Sequence, residues 1–208
     1  MTNQRAIHVL IFSGFADWEP AHALAELRRS GKRIIRTVGF TCASIVSMGG
    51  LRVVPDLALA AVRPDAVELL ILPGGDLWES GDYPRSALES LITALLVAET
   101  PVAAICGGTL ALARAHALDD RRHTSNMRSY LPEHASEYAG GPHYVESPAV
   151  RDRHVITASG LAPVDFARAI FAELGVFSAQ NEAVWFDMFK HGKLPDAVMA
   201  RHGERGGA

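Results

Sequence analysis

The sequence predicts an α/β domain with a mainly parallel central sheet and helices on both of its faces. Three observations predict it. Short apolar runs alternate along the chain with longer segments of helical periodicity. The runs end on glycine- and proline-bearing turns such as Pro73-Gly74-Gly75. The 208 residues, 49 % of them apolar, suffice for one full hydrophobic core but not comfortably for two. The expected unit is one domain over 1–200, with a polar, Gly-rich tail at 201–208 expected to be disordered.

Taken in order, Ile7–Phe12 reads as the first strand. A helix is expected from Asp17 to Ser30, closed by Gly31, with Ala21, Leu24, Ala25 and Leu27 available for its buried face. Ile34–Phe40 reads as a second strand, and Ser44–Pro55 as a small hairpin turning at Met48-Gly49-Gly50. Glu68–Leu72 is a core strand, Pro84–Glu99 a helix with Pro84 suited to its first turn, and Pro101–Ile105 a buried strand. A helix over Thr109–Ala115 follows directly on Cys106. Residues 121–147 are the least regular. His154–Ser159 reads as a late strand, and Pro163–Leu174 and Asn181–Lys190 as helices. The apolar residues Trp185, Phe186, Met188 and Phe189 are read as packing on their own domain.

Composition narrows the function classes. The formal charge is −3 with no block of like charges, whereas nucleic-acid binding needs clustered Lys and Arg to neutralise phosphates. Two cysteines do not make a disulfide scaffold and suit a reducing compartment. No run reaches the ~18 apolar residues of a membrane span, and the start of the chain lacks the pattern of a signal peptide. The expectation is a cytoplasmic protein with a small-molecule substrate and no nucleic-acid or membrane partner. No histidine, cysteine or carboxylate spacing resembles a zinc site, so neither a metal nor a cofactor is expected.

The strongest chemical signal is Pro101-Val-Ala-Ala-Ile105-Cys106-Gly107-Gly108-Thr109. A buried strand runs into a cysteine, two glycines follow, and a helix begins. This is the strand–elbow–helix arrangement that exposes a nucleophile, with small residues where the turn is tight. The unpaired N–H groups and dipole of a helix N-terminus favour a thiolate there, which would also make Cys106 the preferred site of oxidation. The plain alternative is a buried core cysteine before a Gly pair; Cys42, lacking such a context, reads as structural. The second signal is Leu72-Pro73-Gly74-Gly75-Asp76, at the carboxyl end of a predicted central strand, where open parallel sheets bind ligands. A glycine there could offer a backbone N–H to a developing oxyanion together with that of Gly107. The third is Phe15-Ala16-Asp17-Trp18-Glu19-Pro20, where Asp17 is a plausible N-cap and Glu19 suits the positive end of a helix dipole.

Together, in order and spacing, these segments resemble the ThiJ/PfpI family of the class I glutamine amidotransferase-like superfamily, from Ile7 to about Leu174. The resemblance implies a flavodoxin-like sandwich and a role for each matching residue. Cys106 would be the nucleophile, Glu19 the carboxyl bonded to its sulfur, and Gly75 and Gly107 the oxyanion donors. A carboxyl and a thiolate at one site are like charges, so a shared proton is expected. Asp17, Asp76, Asn126 and His22 are candidates to border the pocket, and the family commonly forms homodimers.

The chain departs from the family in one respect. The peptidase branch carries a histidine directly after the cysteine, where this chain has Gly107. Other members place one twenty residues further on, where it has Asn126. The distant histidine of the glutaminases is also missing, and His116, His123 and His143 are weak candidates. Amide cleavage needs a proton for its leaving nitrogen, normally from a Cys–His pair. The resemblance then implies glyoxalase- or deglycase-like chemistry on small carbonyl compounds. The alternatives are a redox-responsive stress protein without turnover and, further off, an amidase, peptidase or isonitrile hydratase.

Overall fold

A computed structural model describes residues 5–29 and 33–195. The apolar runs pair into a seven-stranded sheet made of β1 (Ala6–Leu10), β2 (Ile35–Gly39), β5 (Leu57–Ala58), β6 (Val67–Leu72), β7 (Val102–Ile105), β8 (Ala149–Asp152) and β9 (Val155–Ala158). Their spatial order is β5-β2-β1-β6-β7-β9-β8, and every pair is parallel except β8 with β9. β3 (Ile45–Val46) and β4 (Arg52–Val53) form a separate hairpin through the Met48-Gly49-Gly50 turn. β1, β7 and β9 are buried along their whole length, as strands covered on both faces must be.

The helices fall into two groups. α1 (Ala21–Arg29) packs on α6 (Pro163–Leu174), which in turn packs on α7 (Ala179–His191). α4 (Thr109–Arg114) collects α2 (Leu77–Ser80), α3 (Arg85–Val97) and α5 (Tyr130–His134). Trp185 of α7 enters the core, its ring 4.8 Å from that of Phe171, while Phe189 stays half-exposed. No helix among the described residues is long and apolar enough to cross a membrane.

Several elements differ from the sequence expectation, each for a local reason. α1 starts at Ala21 rather than Asp17. Proline disfavours a helical conformation at the residue before it, and residues 16–21 form hydrogen-bonded turns instead. Its buried face is Ala23, Glu26 and Leu27, with Leu24 half-buried; Ala21 and Ala25 face solvent. Pro84 lies just before α3 rather than in its first turn. β8, absent from the sequence reading, is half polar and reaches β9 through Arg153 and His154. Both residues have positive φ, so this hairpin turn lacks the Asn-Gly or Asp-Gly signature. β5 and α2 are too short to carry a period. Gly31 and the tail at 201–208 lie outside the described residues.

The topology fixes where a ligand can sit. After β1 the chain builds β2 and β5 on one side, then returns to lay β6 on the other. Strand order therefore reverses between β1 and β6, and the crevice opens outside their carboxyl ends. Register brings the next two strands level with it, because Leu72 pairs with Ala104 and Ile105 with Ala158. Two residues past Leu72, Ala104 and Ala158 come Gly74, Cys106 and Gly160. The elbow closes on the neighbouring strand's end: a Cβ on Gly108 would meet the Leu72 carbonyl and lie 3.0 Å from that of Pro73. Backbone cannot yield as a side chain can. Gly108→Ala should therefore lose about 1–3 kcal/mol of stability, read as a melting temperature lower by roughly 2–10 °C.

Candidate active site

Cys106 opens a single 3-10 turn, Cys106–Gly108, between β7 and α4. Its φ is +56°, a conformation that costs a non-glycine residue on the order of 1–3 kcal/mol unless the surroundings hold it. Here they do. Thr109 Oγ1 donates to the Cys106 carbonyl at 2.6 Å and shares a 2.7 Å hydrogen bond with Ser125 Oγ. The sulfur, half-buried, is approached by the Gly107 N–H and by Nδ2 of Asn126, which donates from 3.4 Å.

Glu19 reaches the same place from the turn after β1. It is 1 % exposed, accepts the Gly74 N–H on Oε2 at 2.5 Å, and hydrogen-bonds the Cys106 thiol. Two glycines enclose this pair. A Cβ on Gly74 would lie 2.8 Å from Glu19 Oε2 and 2.9 Å from the sulfur. One on Gly160 would lie 2.9 Å from the sulfur and 3.2 Å from Oε1. Asn126 closes the ring, since its Oδ1 accepts the Gly160 N–H at 3.0 Å. That bond orients the amide, so the NH2 end must face the sulfur.

The electrostatics follow from burial. Desolvation pushes the Glu19 carboxyl up to about 7, against the opposing Gly74 N–H and Cys106 thiol. Burial, then the Glu19 charge, pushes the Cys106 thiol up to about 11, although Asn126 and the Gly107 N–H favour its anion. Burial thus works against the thiolate expected from the helix N-terminus. α4 is six residues long, and its N-terminus is outweighed by the loss of water around the sulfur. Between these two values the pair carries one negative charge and one proton.

The profile of the DJ-1/PfpI family matches residues 5–173. The chain belongs to the DJ-1/PfpI family. Among its relatives is YoaZ of Bacillus subtilis, named an uncharacterized protease, 35 % identical over 194 residues that span 89 % of this chain and 91 % of that protein. A protein of Thermococcus kodakarensis named a deglycase is 30 % identical over 150 residues, 70 % of this chain and 89 % of that one. In three dimensions the chain is similar to a DJ-1 superfamily protein of Agrobacterium tumefaciens. The TM-score is 0.83 at 34 % identity, covering 91 % of this chain and all of that one.

Of the residues singled out from the sequence, Cys106, Glu19, Gly107 and Asn126 meet at the elbow. Gly75 adjoins them, with φ +146° and its carbonyl 3.1 Å from where a Gly107 Cβ would lie. Asp17 does not cap α1; it accepts the Ser47 hydroxyl at 2.7 Å and packs on Gly49 of the hairpin. Asp76 is exposed at the start of α2. The ring of His22 stands edge-on to Trp185 and Phe189 of α7, at 6.2 and 5.2 Å, instead of facing the sulfur. His123 is buried, held by the Arg121 carbonyl and the Tyr138 hydroxyl at 2.7 Å each; His143 is exposed, and His116 pairs with Asp119. Sequence reasoning missed Gly74 and Gly160 as walls of the site. The rule that selected Gly75, a glycine just past the carboxyl end of a strand, also selects Gly160. A cavity of about 350 Å³ opens beside Asn126, lined also by Ser125, Ser159, Leu161 and Lys190; it borders the site through Asn126, and neither Cys106 nor Glu19 lines it. No group of three or more His, Cys, Asp or Glu among the described residues could hold a metal ion.

Two measurements probe this electrostatic picture. A carboxyl whose folded value is raised stabilises the fold while protonated, and that contribution is lost as pH rises from the unfolded value through about 7. Glu19→Gln mimics the protonated form. It should melt higher than the parent at pH 8, with the advantage shrinking toward pH 5. Asn126→Asp replaces the amide donor by a second negative charge, so alkylation of Cys106 at pH 8, followed by peptide mass, should slow at least tenfold.

Proposed function

We propose that the protein is a cysteine-dependent enzyme acting on small carbonyl compounds, of the glyoxalase or deglycase kind, with Cys106 as nucleophile and Glu19 as its proton carrier. One observation carries this reading: the titratable group in contact with the thiol is a carboxyl raised to about 7, and the two histidine positions of the family hold Gly107 and Asn126. As the sulfur adds to an aldehyde carbon, its proton passes to the Glu19 carboxylate and the carbonyl π pair moves onto oxygen. The N–H groups of Gly75 and Gly107 are the proposed donors to that oxyanion. Glu19 then returns the proton to the oxygen, giving a hemithioacetal and regenerating its own carboxylate. The deglycase name of the Thermococcus relative fits this chemistry. The protease name of YoaZ fits less well, because with Gly107 and Asn126 at the two histidine positions no imidazole stands by for a leaving nitrogen, and Glu19 alone would have to protonate it.

Oxidation of Cys106 without turnover is the weaker reading. Peroxide attacks thiolate, and burial pushes this thiol up, which disfavours that form. Carbonyl addition suffers no such handicap, since Glu19 removes the proton in the same step.

Methylglyoxal consumption by wild type and Cys106→Ser is the test. Wild type should turn over, and the serine variant should lose at least a hundredfold. Turnover should fall as pH drops below about 7, where Glu19 keeps its own proton and cannot take that of the thiol. A serine variant that stays active, or a wild type that consumes no aldehyde, would sink the reading.

A further inference from the structure

Gly107 lies where the peptidase branch of the family has a histidine, and other groups fill the space such a side chain would enter. A Cβ on Gly107 would lie 3.0 Å from Trp78 Cδ1 and 3.3 Å from the hydroxyl of Tyr130. Tyr130 is 7 % exposed, and its hydroxyl donates to Oε1 of Glu79 at 3.0 Å. Glu79 itself reaches solvent from α2. Arg114, buried inside α4, ties the two elements together. Its Nη1 donates to the Trp78 carbonyl at 2.7 Å and to the Tyr83 hydroxyl at 3.0 Å, and its Nη2 to the His134 carbonyl at 2.9 Å. The tyrosine and its carboxylate are thus braced from behind.

A phenol whose one hydrogen is committed to a carboxylate can only accept a further hydrogen bond. We propose that Tyr130, polarised by Glu79, is a substrate-contacting acceptor beside Gly107 that selects carbonyl compounds bearing a hydroxyl or N–H on the carbon next to the reacting carbonyl. Burial and the Glu79 charge hold the phenol well above its ordinary value, so it stays neutral and keeps that polarity throughout the working pH range. The selection rests on the carbonyl reading of Cys106, and it adds what that reading lacks, a preference among aldehydes. A hydrogen bond of ordinary strength makes the expected preference threefold to about tenfold.

Glycolaldehyde and acetaldehyde differ by the hydroxyl in question. Each is titrated against the full chain, and protection of Cys106 from iodoacetamide is read on its own peptide by mass, which keeps Cys42 out of the signal. The comparison is made in wild type, Tyr130→Phe and Glu79→Ala. The glycolaldehyde-to-acetaldehyde affinity ratio should fall threefold to tenfold in Tyr130→Phe and part of the way in Glu79→Ala. Acetaldehyde protection should be unchanged, which also reports that the elbow is intact. An unchanged ratio in Tyr130→Phe overturns the acceptor role and leaves the carbonyl reading standing. Equal loss for both aldehydes also overturns it, by showing a merely structural tyrosine. If neither aldehyde protects Cys106 in wild type, the carbonyl reading falls and this selection with it.

Discussion

A thiol and a carboxyl held in contact, largely out of water, with a single proton between them set the terms for everything around them. Neither group ionises readily in such a place, and both cannot be charged together. The protein must therefore supply close, fixed dipoles without filling the space where a substrate has to approach. It does so with backbone. Gly74 offers its N–H to Glu19, and Gly107 its N–H to the sulfur. Gly74 and Gly160 lie so near the pair that no side chain fits on either. Cys106 itself holds a strained backbone, φ +56°, at the point where the sulfur meets the carboxyl.

The sheet makes this convergence possible at little cost in special structure. Parallel strands in register end level with one another, so residues one or two places past β6, β7 and β9 become neighbours. The reversal of strand order beside β1 leaves a gap through which the turn carrying Glu19 enters. Three loops distant in sequence thus deliver a carboxyl, a thiol and their N–H donors to one point. Ordinary core residues on the strands fix the distances. Arg114 and Thr109 act in the same way from the helical side, bonding the Trp78 and Cys106 carbonyls of the segments that follow β6 and β7.

Much of this was legible in the sequence, and what was not has identifiable causes. Apolar runs bounded by Gly and Pro gave away the long strands, because burial on both faces leaves few polar residues, such as His8 in β1 and Thr157 in β9, to interrupt them. β8 was hidden by its exposed Arg151 and by a turn built from Arg153 and His154 without glycine. The start of α1 was misjudged because Asp17 looks like a cap, while Pro20 decides the matter and Ser47 claims the aspartate. Cys106, Glu19 and Gly107 could be named in advance from motif order. The electrostatics could not. Helix-end reasoning favours a thiolate, whereas the burial that overrules it depends on how deep the elbow sits. Tyr130 and Glu79 escaped for a related reason: they lie 51 residues apart, and nothing in either segment announces the other.

Asn126 and Gly107 place an amide and a backbone N–H beside the sulfur where an imidazole would offer different chemistry. A histidine can lend or take a proton near neutral pH, so it can serve both the attack and the departure of an amine. Asn126 keeps the donor that steadies a sulfur anion, and its orientation is fixed by Gly160, but its charge state does not change with pH. In the proposed reaction, proton traffic at the sulfur runs through Glu19, one proton at a time. Such a site suits reactions in which the proton that leaves sulfur is the one the product oxygen needs. Carbonyl addition has that stoichiometry, whereas in amide cleavage the same proton has to reach a leaving nitrogen instead.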